Sequence, residues 1–380
     1  MHIMHIFVAI LGILLIYIPL QDGFETIILP RRVARRFRLA RLFYILTWAL
    51  WSLPARKMRA GNRREYYLAL FGPLSLVLLL ILWAALLILG YACLQWGLYS
   101  QLNTTSTASD FGTYLYLSGT TFITLGLGDI LPISGLARAL VVIEAGTGFA
   151  FLALVIGYLP VIYQAFSRRE ASITLLDARA GSPPSAGELL RRHTHAGNTS
   201  KIIEYMHEWE HWCSEILESH ISYNVLIFYR SQHPDQSWLG AITTVLDTCA
   251  LILAGIEGVP IKPIKFTFAI ARHAAVDLAL ILDTPPVKDG NRLPHEDFVR
   301  LRAQLAEVGL MLKDGEATEK RLAQLRGMYE PFVEGLARRL LLNLPRWMKQ
   351  PDQVDDWQTS AWDHFLESSP RTLDRAIVGD

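Results

Sequence analysis

The sequence predicts an all-α membrane protein: three membrane-spanning helices, a short re-entrant helix between the second and third, an interfacial helix after the first, and an all-α cytoplasmic domain behind them. Three observations predict this. The 380 residues are 52% hydrophobic and only 19% charged, which suits a membrane protein with a soluble part. Ile3 to Leu20, Tyr67 to Leu94 and Leu136 to Ile162 are each near or above the roughly 20 apolar residues that a bilayer core demands. From Lys201 onward apolar residues recur at i, i+3, i+4 spacing, with no strand run. The chain divides accordingly into an N-terminal span and interfacial helix (1–65), a central membrane domain (66–170), a linker (171–200) and a helical cytoplasmic domain (201–380).

The first apolar stretch lacks a basic n-region and a small-x-small cleavage site, so it is expected to stay as an anchor. Between it and the second stretch lie Arg31, Arg32, Arg35, Arg36, Arg38, Arg41, Arg56, Lys57, Arg59, Arg63 and Arg64. Basic loops stay on the cytoplasmic side, so this one faces inward. Tyr66 to Ala137 contains no Lys or Arg, which suits the outer face, and Arg168 and Arg169 close the third span on the inside. The expected setting is therefore the cell membrane, plasma or inner, with the N-terminus outside and the C-terminal domain cytoplasmic. Leu42 to Pro54 is apolar but short and flanked by arginines. It reads as an amphipathic helix in the cytoplasmic interface, with Trp48 and Trp51 at headgroup depth and arginines on the phosphates of anionic lipid. The alternative, a further crossing, would put one basic flank outside. Cys93, Cys213 and Cys249 lie far apart, without a C-x-x-C pair, so neither a disulfide framework nor a thiolate metal site is indicated. No cofactor and no nucleic-acid partner is expected.

Between the second and third spans, on the outer side, stands "TTFITLGLGDILP", Thr120 to Pro132. A helical run from Asp110 to Thr121 precedes it, with Ser109 or Asp110 as N-cap. Non-helical backbone at membrane depth is tolerated only where it is buried in protein or lines a watery path. A glycine-punctuated strand meets that condition when its carbonyls face an axis and bind cations. The hexapeptide "TLGLGD", Thr124 to Asp129, resembles the selectivity filter of the two-helix pore module of potassium channels, whose pattern is T-V-G-Y-G-D. Pro132 resembles the proline just after that filter.

The resemblance covers roughly Tyr67 to Phe166 and implies an outer helix, a re-entrant pore helix with its filter, and an inner helix. It implies that the carbonyls of Thr124, Leu125, Gly126 and Leu127, with the Thr124 hydroxyl, replace the water shell of a potassium ion, the permeant species. Gly126 and Gly128 would take positive φ, which is cheap only for glycine. Asp129 would hold the outer mouth as acceptor and fixed negative charge. Leu127 departs from the family tyrosine and Leu117 from a frequent aromatic brace, so a hydroxyl tether is missing there. One such loop cannot enclose an axis, and the family uses four copies, which implies a homotetramer.

On the third span the resemblance places Gly146 and Gly148 at the hinge and Pro160 near the gate, where proline removes one backbone bond to the Ile156 carbonyl. Plain helix packing is the other reading of each. Glu144 is the only ionisable residue mid-span and should face protein or water. It either braces the pore helix from behind or sits in the cavity, concentrating cations. No span carries regularly spaced arginines, so voltage sensing is not indicated.

Behind the membrane part, "DARAGSPPSAGE" (Asp177 to Glu188) and "HAGNTS" (His195 to Ser200) read as linkers. Helices are expected over Ile202 to His220, Ser237 to Gly255, Lys265 to Leu282, His295 to Lys313 and Glu319 to Leu344. No Gly-rich nucleotide fingerprint appears, which argues against a Rossmann-type sensing domain. Two of these helices are apolar enough to span, but Asp247, Arg272, His273 and Asp277 interrupt them, so they read as buried bundle helices. His273 and Asp277, four apart, share one face. "HEWEH", His207 to His211, formally fits H-E-x-x-H, yet no third ligand stands on a separate element. The readings kept are a non-enzymatic potassium channel, a membrane-anchored zinc hydrolase using His207 and His211, and a nonconducting membrane sensor.

Overall fold

The computed structural model describes residues 2–29, 38–103, 110–194, 199–233, 235–287 and 290–349. These residues form helices joined by turns and one short two-stranded ribbon. They gather into two units, Met1–Phe166 with Ser219–Arg230, and Ser167–Glu218 with Ser231–Asp380. The chain is thus an all-α membrane protein with a helical C-terminal region.

In the first unit, α1 (His2–Gly23) ends in a π-helical turn at Phe24–Ile28 and packs along α4 (Phe71–Gly97). A Cβ added to Gly12 would lie 2.7 Å from the Gly90 carbonyl oxygen, so the two backbones touch. Small residues at the contact are how helices associate in lipid, where hydrophobicity gives no net pull between them. At one end of α1, buried His5 packs its ring against Trp96 and Tyr99 at 5.0 and 4.0 Å. At the other, the Asp22 carboxylate accepts from Trp83 Nε1 at 3.0 Å and from the Ala40 amide at 2.9 Å. The second bond satisfies an orphan donor at the start of α2 (Leu39–Lys57). After α3 (Asn62–Ala69) and α4 come β1 (Leu102–Asn103), α5 (Phe111–Phe122) and β2 (Leu131–Pro132). The long α6 (Gly135–Ala180) follows.

Residues Ile3–Ile28, Asn62–Gly97 and Gly135–Ala180 are each long and apolar enough to cross a bilayer. They coincide with the three expected spans. Only 11% of the most apolar stretch of α6 is buried within one chain, against 50% for that of the α4 segment, so that stretch of α6 is left to meet lipid or other protein.

α2 forms where the interfacial helix was expected, but its faces are reversed. Trp48 is 4% exposed and packs against Phe71 and Phe228, with ring centroids 4.9 and 5.3 Å away. Trp51 stacks on Tyr67 at 4.7 Å and donates to its carbonyl at 3.2 Å. The tryptophans face protein, and Leu42, Leu46, Leu50 and Leu53, three or four apart, form the exposed stripe. Arg31, Arg32, Arg35 and Arg36 lie outside the described residues.

Part of the expected cytoplasmic domain also belongs to the first unit. A 3₁₀ turn at Asn224–Phe228 buries Val225, Leu226, Ile227 and Phe228. Phe228 and Tyr44 stack at 5.6 Å, Tyr229 meets Phe166 at 5.5 Å, and Arg230 pairs with Glu65 at 3.3 Å.

In the second unit, α7 (Ala186–Arg192), the greater part of α8 (Ser200–Ser222), α9 (Trp238–Gly255), α10 (Ile261–Ile281), α11 (His295–Glu307), α12 (Glu316–Gly327) and α13 (Glu330–Leu340) form a bundle. α9 is a fourth helix with the length and apolarity of a span, yet 83% of it is buried inside the fold. Its fully buried Asp247 accepts from Arg292 at 3.1 and 2.5 Å and from the Tyr329 hydroxyl at 2.6 Å. A buried charge survives when paired and hydrogen-bonded in this way. His273 Nε2 and Asp277 Oδ2 meet at 3.3 Å, as their spacing predicts.

Boundaries differ from the sequence reading at 171–200 and at Glu319–Leu344. The segment 171–200 is not simply a linker: α6 runs to Ala180, and α7 buries Leu189 and Leu190 against the bundle. Burial would raise the Glu188 carboxyl, but hydrogen bonds from Arg191 and Arg192 hold it down to about 2. The stretch 195–198, within the second expected linker, lies outside the described residues. Glu319 to Leu344 is two helices, because Pro331 cannot sit inside one without losing a bond and clashing.

Candidate functional site

The site is built on α5. Asp110 takes the N-cap position, and its Oδ1 accepts from the Thr113 amide at 3.0 Å and the Thr113 hydroxyl at 2.9 Å. Ser109, the other candidate cap, lies outside the described residues. Asp110→Ala removes the cap and is expected to lower the Tm of the purified protein. The Tyr114 hydroxyl donates to the Ser100 carbonyl at 2.8 Å, fixing the same end of the helix.

At its C-terminus α5 unwinds in a defined way. The Thr124 amide donates to Thr121 O at 3.0 Å, and the Thr120 carbonyl receives both Leu125 N at 2.8 Å and Gly126 N at 3.3 Å. Beyond this, alternate residues take positive φ: Thr124 at 57°, Gly126 at 56° and Gly128 at 78°. A backbone that switches hand at every second residue can turn successive carbonyls toward one side. Glycine does so at little cost, whereas a β-branched threonine there is a strained outlier that the surroundings must hold. Ile123 through Asp129 are exposed within the single chain. β2 then pairs antiparallel with β1, Leu102 opposite Pro132 and Asn103 opposite Leu131, and Ile133 N donates to Gln101 O at 2.9 Å. The loop is therefore anchored at both ends.

Behind α5 three contacts fix its position. The Ser118 hydroxyl lies 2.7 Å from the Ile88 carbonyl on α4 and in very short contact with Glu144 Oε1 on α6. Glu144 is wholly buried, which places it against the back of α5. A Cβ added to Gly148 would sit 1.9 Å from the carbonyl oxygen of Phe122, the last residue of α5. Gly148 is thus a point of backbone contact between α6 and α5. The same test finds open space at Gly146. Pro160 is exposed and lies within α6, which continues to Ala180.

One proximity escaped the sequence reading. The Tyr116 hydroxyl on α5 lies near enough to the Asp129 carboxylate, at the far end of the loop, to feel its charge. Neither Leu127 nor buried Leu117 can supply such a hydroxyl, and Tyr116, one residue before Leu117, was the available signal.

In the second unit, the His207 and His211 rings stand 4.8 Å apart on α8, and His207 Nδ1 lies 3.6 Å from Glu210 Oε2. Both histidines are exposed. Among the described residues no group of three or more His, Cys, Asp or Glu could hold a metal ion.

A family model described as "Ion channel" matches residues 77–164. This stretch runs from α4 through α5 and the loop into α6. No curated protein and no solved structure matches the chain. The match indicates an ion channel, and with the apolar helices it marks a multi-pass membrane protein.

Proposed function

We propose that this protein is a homotetrameric potassium channel. The carbonyls of Thr124, Leu125, Gly126 and Leu127, with the Thr124 hydroxyl, replace the hydration shell of the ion, and Asp129 concentrates cations at the outer mouth. The single observation that carries this reading is the alternation of positive φ at Thr124, Gly126 and Gly128 in a loop exposed within one chain. Such a loop needs copies of itself to close a ring, and closed symmetry supplies them. Exposed apolar residues of α6, including Val142, Phe149 and Ile156, are available to face those copies or the lipid.

α6 is the inner helix in this reading. Gly148 holds it to the pore helix, and Pro160, further along, provides the bend for opening. The basic residues after α1, with Arg168 and Arg169 in the later part of α6, support a cytoplasmic C-terminal domain that modulates opening or assembly. The leucine stripe of α2 lies in the inner leaflet beside anionic lipid.

The purified protein, reconstituted in bilayers under opposed potassium and sodium gradients, tests this directly. A reversal potential close to the potassium equilibrium value is expected. A value near zero, or no current, overturns the proposal.

A further inference from the structure

We propose that Glu144 is a positioning residue that carries its proton at neutral pH, and that this proton holds the inner helix to the pore helix. The Ser118 oxygen has two neighbours, the Ile88 carbonyl at 2.7 Å and Glu144 Oε1. A serine hydroxyl has one hydrogen, and a backbone carbonyl has none to give. The bond to Ile88 therefore uses the serine hydrogen. The contact between the Ser118 and Glu144 oxygens then needs a hydrogen of its own, and only a protonated carboxyl supplies it.

The other oxygen agrees. Glu144 Oε2 is buried and has no protein hydrogen-bond partner. That is poor solvation for half of a carboxylate and acceptable for the carbonyl oxygen of a neutral acid. The titratable group facing Glu144 is Tyr91 on α4. Its hydroxyl lies 2.8 Å from Thr147 Oγ1, which spends its own hydrogen on the Ile143 carbonyl at 2.9 Å, so Tyr91 is the donor and remains neutral. α5 presents Ser118, and no Lys or Arg acts on the group among the described residues. The relay thus runs from α6 through α5 to α4, each hydroxyl or acid donating once. Removing the Glu144 proton turns the carboxylate into a competitor for the Ser118 hydrogen and breaks the link to Ile88.

The inference concerns geometry and proton placement, and its flux readings rest on the channel proposal. Infrared difference spectra of the reconstituted native protein and E144Q test it without any current. A protonated-carboxyl band at neutral pH that disappears in E144Q is expected, and a carboxylate band disappearing instead overturns the inference. In flux measurements E144Q, whose amide can still donate to Ser118, stays within about twofold of native, whereas Glu144→Leu loses about tenfold or more. Native flux falls at alkaline pH and E144Q flux does not. Equal losses in both variants, or the same pH profile in native and E144Q, overturn it. Absence of flux in the native protein overturns the channel reading alone, and the infrared result still decides this one.

Discussion

Gly126→Ala is expected to abolish potassium flux while the protein remains folded and assembled. A Cβ at Gly126 meets no atom within 4 Å, so crowding is not the cause. Conformation is. At φ 56° an L-residue is strained by roughly 1–2 kcal/mol, and the four subunits of the proposed tetramer would repeat the strain, giving about 4 kcal/mol or more per pore. That corresponds to about a thousandfold in the population of the conducting form. The loop relieves the strain by rotating the peptide, which takes a carbonyl out of the row. Flux into liposomes loaded with potassium, measured beside the size and melting of the purified protein, checks both halves. Selective flux persisting in this variant would remove the filter assignment.

The same substitution at Gly148 should act through the fold instead. An alanine Cβ there would lie 1.9 Å from Phe122 O and 2.8 Å from the carbonyl carbon, both backbone atoms of the pore helix. Neither can move aside without displacing α5 or α6. Overpacking of this kind costs about 3 kcal/mol or more. Because Phe122 stands two residues before Thr124, the displacement reaches the loop, and flux falls together with Tm. A hinge role makes a different prediction, since alanine favours helix and would stiffen α6 without loss of stability. A Gly148→Ala protein with native Tm would exclude the close contact.

Much of the membrane part was legible in the sequence because lipid imposes simple rules. Length and apolarity set the three spans, and the glycines of "TLGLGD" announced positive φ at Gly126 and Gly128. The third positive φ, at Thr124, was not announced, since local preference forbids it and only its surroundings impose it. Trp48 misled because tryptophan suits both a headgroup layer and an aromatic core, and the distant Phe228 decides between them. The segment around Asn224 lacks helical periodicity and is placed by tertiary contact alone. The sequence alone allows Glu144 two surroundings. Ser118, on another helix, selects one, and sequence spacing holds no record of that meeting. Pro331, by contrast, was a visible signal, and proline inside the expected Glu319–Leu344 helix should have split it.

Ser219–Arg230 belongs to the first unit although the second unit flanks it in sequence. No single cut therefore separates the two units. A fragment beginning near Lys201 would carry Val225, Leu226, Ile227 and Phe228 stripped of their cover, a sticky patch that invites aggregation. Recombining the two halves in hybrid proteins therefore calls for exchanging this dozen residues with the pore rather than with the domain that surrounds them in sequence.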